Sequence, residues 1–211
     1  MRAVRAARHR ASGMLRRMSL ATCATLFGHT TPVLFVIGAQ KCGTSALYHY
    51  LDLHPQMVHP ALKELNFFAS RTDRDRALVA YRRQLPLAWP GQAAFTLDAS
   101  PLYMLDADFA APRIQASFPA ASVVALLCEP VARAWSAWHM YRRYYADNPD
   151  WFVDLQTRLN GPVLARALVR RQSRFGEDFL SDLREEHEAL AGGQRIDMPI
   201  IEFGFYARQL E

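Results

Sequence analysis

Between Gly38 and Ser45 the chain reads Gly-Ala-Gln-Lys-Cys-Gly-Thr-Ser, a set of residues suited to holding an anion. Gly38 permits a tight turn, and Gly43 lets backbone approach a ligand closely. Lys41 supplies an ammonium, and Thr44 and Ser45 supply hydroxyls. Where such a segment joins a strand to a helix, loop amides and the helix N-terminus converge on one point that favours phosphate. The phosphate-binding pattern GxxxxGK[ST] is approached but not matched. Thr44 follows Gly43 where that pattern has its lysine, and the lysine stands inside the loop at Lys41. A nucleoside triphosphatase needs that lysine on the β- and γ-phosphates. The loop therefore reads as a seat for a single phosphate or a phosphosulfate anhydride. A strand–helix turn with no ligand is the plain alternative.

The elements around the loop fit this reading. Val33-Leu34-Phe35-Val36-Ile37 is a continuous apolar, β-rich run, the pattern of a strand buried on both faces in a parallel sheet. Thr44 to Leu53 reads as a helix with Leu47, Tyr50 and Leu51 on one face. A helix over 77–85, a short strand over 94–97 ending at Asp98, and a second buried-type strand over 122–127 follow. Pro130 suits the first turn of a helix running to about Tyr145. Further helices are expected over 152–159, 163–171 and 179–190. Pro199-Ile200-Ile201 is one more strand or a lead into a last helix at Tyr206. The pattern predicts one α/β domain, a parallel sheet flanked by helices, over residues 32–211.

Charge placement removes a partner that the whole-chain numbers invite. The 211 residues carry a formal net charge of +5, which suggests nucleic acid. Six arginines and no acid lie within residues 1–31, and the remaining 180 residues hold 19 basic and 20 acidic groups. The body is neutral, so nucleic acid is not an expected partner. The basic leader reads as a targeting segment or an unstructured tail. Its apolar run, Met18–Phe27, is interrupted by Thr22 and Thr25 and makes a poor secretory core. No apolar stretch is long enough for a transmembrane span. Three cysteines (Cys23, Cys42, Cys128), none in CxxC spacing, argue against a disulfide framework and against a zinc site. Of 25 basic residues only Lys41 and Lys63 are lysines, so both positions are candidates for a compact ammonium.

Four segments together carry a resemblance. Phe35 to Tyr48, spanning the anion loop, resembles the 5′-phosphosulfate loop of Golgi-type carbohydrate sulfotransferases, nearest the heparan sulfate N- and 3-O-sulfotransferase branch. His54-Pro55 with Lys63-Glu64-Leu65-Asn66-Phe67-Phe68, then Asp98-Ala99-Ser100-Pro101-Leu102-Tyr103, then Glu129-Pro130-Val131-Ala132-Arg133-Ala134-Trp135-Ser136 continue it in order. The resemblance implies a P-loop-like parallel α/β fold and 3′-phosphoadenosine 5′-phosphosulfate as donor co-substrate, with no metal. It implies a carbohydrate acceptor, a polysaccharide or oligosaccharide of heparan-like glycosaminoglycan type, and the Golgi lumen as location.

The same resemblance implies roles for particular residues. Lys41 would neutralise charge on the bridging oxygen, with Gln40, Cys42, Gly43, Thr44 and Ser45 around the 5′-phosphate. Glu64 would be the catalytic base, and partial burial among Leu65, Phe67 and Phe68 would strengthen it. A solvated Lys63–Glu64 pair is the alternative. Arg133 and Ser136, three apart on one helix face, would recognise the 3′-phosphate. Trp135, Trp138, Tyr141, Tyr144 and Tyr145 on that helix read as core and groove lining.

Three departures stand beside the match. Cys128 occupies a position where many sulfotransferases have arginine. Ala99 stands where the heparan enzymes usually have lysine. The sequence ends at Glu211, soon after Phe205-Tyr206, where relatives continue into a further helix, a strand and a basic loop. The domain is therefore expected to be C-terminally incomplete. Two alternatives follow: a catalytically silent relative that binds nucleotide or glycan, and a P-loop kinase that would need Asp98 as its magnesium carboxylate.

Overall fold

The computed structural model describes residues 28–70, 74–88, 94–147, 150, 153–155, 157, 175–176, 178–194 and 198–211. Nearly all of the basic leader, the whole helix expected over 163–171 and half of the one expected over 152–159 lie outside these residues, and 153–155 and 157 of the latter are helical.

The apolar run at the start of the body becomes β1 (Pro32–Gly38). It is the central strand of a three-stranded parallel sheet, between β2 (Thr96–Ala99) and β3 (Ser122–Ala125). Alternation along β1 sends Phe35 into one core with Phe68, Tyr103 and Phe118. Val36 enters a second core with Tyr48, Met57 and Leu97 on the opposite face. A strand covered on both sides has no polar face, which is why this run lacks polar residues.

Helix α1 (Thr44–Asp52) follows the anion loop and supplies Tyr48 to the second core. Then come α2 (Arg74–Gln84), α3 (Leu102–Leu105) and α4 (Ala107–Ser117). Helix α4 is not evident in the sequence because Pro112 lies inside it. Its buried residues Ala110 and Ile114, four apart, hold it against the first core. The remaining elements are α5 (Pro130–Asp147), α6 (Phe179–Ala191) and α7 (Tyr206–Leu210). Residues 198–201 are not a strand but the lead into a short turn, Glu202–Gly204, and α7.

One expectation changes at β3. It was expected to be buried on both faces, yet Val123 is 54% exposed and Ser122 is open to solvent. As the outer strand of the described sheet it has one paired neighbour, so its apolar residues are only partly covered.

The strand order decides where a ligand can sit. The chain leaves β1 for β2 on one side, then crosses to β3 on the other. The loops that follow all three strands meet at one sheet edge, the place where doubly wound sheets open a crevice.

Candidate active site

The loop after β1 has the form that an anion seat requires. Gly38 is fixed by close packing: a Cβ there would stand 2.7 Å from Cβ of Met104 in α3. Gly43, at φ 91, adopts the left-handed backbone that only glycine takes cheaply, with open space where a side chain would be. As N-cap of α1, Gly43 brings no side chain to bond the first helical amides. Those amides have no intrahelical acceptor, so they remain available to an anion. Thr44 is buried and Ser45 is exposed at this helix start.

Lys41 is half-buried in the loop, with left-handed backbone at φ 72. Burial is the main cause that lowers its pKa below the ordinary lysine value; Arg143 adds to this, and Glu64 opposes it. Gln40 accepts a hydrogen bond from the Tyr141 hydroxyl of α5. Cys42 is an anchor rather than a free ligand group. Its amide donates to the Ala39 carbonyl at 3.1 Å, and its sulfur is joined to Cys128 in a disulfide.

That disulfide corrects the expectation drawn from cysteine spacing. Residues 86 apart carry no local signal, but β1 and β3 run parallel and adjacent, so the segments after them meet with 5.4 Å between the two Cα atoms. Tyr206 of α7 closes over the same point. Its hydroxyl donates to the Cys128 carbonyl at 3.0 Å and lies 3.4 Å from Sγ of Cys42.

Glu64 faces this loop from the segment before α2. Its side chain is 42% exposed, more open than the apolar frame in the sequence suggested. The backbone explains this: Glu64 and Asn66 both have positive φ, at 59 and 52. Phe68 turns into the core, whereas Glu64 is directed to Lys63. The Lys63 ammonium donates to Glu64 Oε1 at 3.1 Å and to Ser45 Oγ at 2.6 Å. The sequence marked Lys63 as one of two lysines and as a possible partner of Glu64, a pairing the structure shows; its tie to Ser45 appears only in the fold.

The Glu64 segment is itself held from β2. Asp98 is 1% exposed and accepts from Ser100 Oγ at 2.6 Å, Tyr103 at 2.8 Å and Tyr81 at 3.0 Å. Ser100 Oγ in turn accepts the Asn66 amide at 3.0 Å, and Asn66 Nδ2 donates to the Glu64 carbonyl at 3.1 Å. Burial outweighs these three hydrogen bonds and pushes the Asp98 carboxyl up. Enclosed in this way, Asp98 is unsuited to hold the magnesium ion that a kinase would need. Ala99 is buried beside it, at 2% exposure. Among the described residues no group of three or more His, Cys, Asp or Glu could hold a metal ion, and no helix is long and apolar enough to cross a membrane.

Arg133 is enclosed beneath the segment Ile200–Gly204. At 1% exposure, it donates from one terminal nitrogen to the Ile200 carbonyl and sits 5.8 Å from the centre of the Phe203 ring. Its Nε and other terminal nitrogen have no partner among the described residues. The covering segment is fastened by the Glu186 carboxylate, which accepts the amides of Ile200, Ile201 and Glu202. Ser136, on the same helix face, is partly exposed. Of the aromatic residues on α5, Trp138 and Tyr141 are core, while Trp135 is 48% exposed and stacks on Trp138.

No family model matches the chain. In sequence it is similar to the mouse bifunctional heparan sulfate N-deacetylase/N-sulfotransferase 2, 26% identical over 149 residues, which are 66% of this chain and 16% of that protein. The human bifunctional heparan sulfate N-deacetylase/N-sulfotransferase 1 is 31% identical over 55% of this chain and 13% of its own length. The human heparan sulfate glucosamine 3-O-sulfotransferase 5 is 31% identical over 49% of this chain and 29% of its own length. The chain thus spans less than a third of each of these relatives. In structure it is similar to a sulfotransferase from Alicyclobacillus acidocaldarius, with a TM-score of 0.58 and 24% identity, covering 86% of this chain and 67% of that one. The chain is therefore similar in sequence to heparan sulfate sulfotransferases of both the N- and 3-O- branches, and its fold is that of a sulfotransferase.

Proposed function

We propose that the chain is the sulfuryl-transfer part of a carbohydrate sulfotransferase that uses 3′-phosphoadenosine 5′-phosphosulfate. One observation carries this reading: the lysine-bearing loop with uncapped helix amides lies against Glu64, with Lys63 bridging the two. The donor supplies a sulfuryl group on a phosphate leaving group. The bond between sulfur and the phosphate's bridging oxygen breaks, and a bond from sulfur to the acceptor's oxygen or nitrogen forms. The acceptor's proton passes to the Glu64 carboxylate. Lys41 neutralises the charge left on the 5′-phosphate, and the amides of Gly43, Thr44 and Ser45 hold that phosphate in line. No metal is required, because the sulfuryl group carries less charge than a phosphoryl group.

Ser136 and Arg133 are proposed for the 3′-phosphate. The two unpartnered nitrogens of Arg133 support an anion there, on the condition that the Ile200–Gly204 cover moves aside. The acceptor is proposed to be a heparan-like glycan, in keeping with the relatives' names. The disulfide favours an oxidising compartment, and the Golgi lumen is one.

A second reading, a donor-binding relative without turnover, is favoured by the buried, uncharged Ala99 at the end of β2. Calorimetry with 3′-phosphoadenosine 5′-phosphate, paired with transfer of labelled sulfate to a heparan-type polysaccharide, separates the two. Binding with transfer is expected. Binding without transfer gives the second reading, and neither overturns both.

A further inference from the structure

The loop after β1 and Glu64 belong to different segments, and a single ammonium bonds side chains of both. Lys63 Nζ reaches Ser45 Oγ at 2.6 Å and Glu64 Oε1 at 3.1 Å. An ammonium can only donate, so both oxygens must accept. For Ser45 this fixes the direction of its own proton. With its oxygen accepting from Lys63, the hydroxyl hydrogen is free to donate to an anion at the start of α1. For Glu64 it separates the two carboxylate oxygens. Oε1 is occupied by Lys63, and Oε2 has no partner among the described residues. The Lys63 side chain is 31% exposed; its bond to Glu64 is part-buried, and its bond to Ser45 lies at the surface.

We propose that Lys63 is a positioning residue that couples the two halves of the site. It turns the Ser45 hydroxyl proton toward the donor's phosphate and reserves Oε2 of Glu64 for the acceptor's proton. This rests on the sulfuryl-transfer reading, but the coupling itself is a property of the protein alone. The Asn66–Ser100–Asp98 chain holds the backbone of the same segment, so Lys63 is needed for side-chain aim and not for the fold of the loop.

The composition makes the test direct, because Lys41 and Lys63 are the only lysines among 211 residues. In protein labelled with 15N at lysine, two side-chain Nζ signals are expected, assigned through Lys63→Met. The Lys63 signal should shift in both Ser45→Ala and Glu64→Gln. A Lys63 signal that ignores either substitution overturns the coupling, whether or not the protein transfers sulfate. If both shifts occur in a protein that neither binds 3′-phosphoadenosine 5′-phosphate nor transfers sulfate, the coupling stands and the functional reading falls. In active protein, Lys63→Met should lower kcat by about tenfold or more, the worth of one charge-assisted hydrogen bond, at unchanged Tm. It should also weaken binding of 3′-phosphoadenosine 5′-phosphate, but not further in a Ser45→Ala background. Lys63→Arg, which also only donates, should recover part of the lost kcat. A Lys63→Met kcat within twofold of the unsubstituted protein, or losses from Lys63→Met and Ser45→Ala that simply add, would refute the role.

Discussion

Cys42, at the tip of the loop after β1, is joined to Cys128, just beyond the end of β3, by a disulfide that closes 86 residues of chain. The bond links the segments after two neighbouring parallel strands, and the Tyr206 hydroxyl lies against it. The loop is thus held at its tip as well as at its start, where Ala39 donates to Leu126 and Leu126 donates to Gly38. An anion seat made of backbone amides depends on that kind of fixed geometry.

Thiol titration of the denatured protein should find one free cysteine without reductant, Cys23, and three after reduction. By the chain-entropy relation, a closed loop of this length stabilises the fold by about 4.6 kcal/mol. Cys42→Ser with Cys128→Ser should therefore show a clearly lower urea midpoint. Three reactive thiols in unreduced protein would refute the bond.

Replacing Lys41 by methionine should weaken binding of 3′-phosphoadenosine 5′-phosphate by about 10- to 100-fold, as expected for charge-assisted bonds to an anion. Burial and Arg143 hold the Lys41 pKa below its ordinary 10.5. Affinity should therefore fall on the alkaline side at a pH below that value, because the cation is lost as pH rises. Titration calorimetry across pH checks both, and Lys41→Met should abolish this limb of the profile.

Glu64→Gln keeps the shape of the side chain and removes its ability to take a proton. The rate of sulfate transfer should fall by about 10²- to 10⁴-fold, the range for a general base, with binding of the desulfated nucleotide changed little. Equal losses in rate and nucleotide affinity would place Glu64 on the donor instead.

Asp98 supplies a stability prediction with a definite sign. Its carboxyl is pushed above the ordinary 3.8 in the folded protein. Its contribution is then complete below about pH 3.8 and is lost as pH rises through the folded-state value, because the unfolded chain ionises first. Asp98→Asn does not titrate. The stability of the unsubstituted protein relative to Asp98→Asn should fall as pH rises above about 3.8 in urea unfolding. A constant gap, or one that grows in favour of Asp98, would contradict this.

Local features could be read from the order of residues alone. The strand–loop–helix at Pro32–Asp52 was legible because an apolar run, two glycines and a helical face lie within about twenty residues. Lys41 stood out by its place in a glycine-bounded loop, whereas the role proposed for Glu64 came from the resemblance and not from its neighbours. Helix α4 was hidden by Pro112, since its burial against the first core outweighs the missing amide. The site's assembly was decided by tertiary structure alone. Lys63 meets Ser45 across 18 residues, Asn66 meets Ser100 across 34, and Cys42 meets Cys128 across 86. Arg133, read from the sequence as facing a phosphate, lies enclosed because a segment 67 residues later folds over it. Periodicity and turn chemistry act within a few residues, whereas these contacts arise because the parallel order β2-β1-β3 brings the loops after all three strands to one edge.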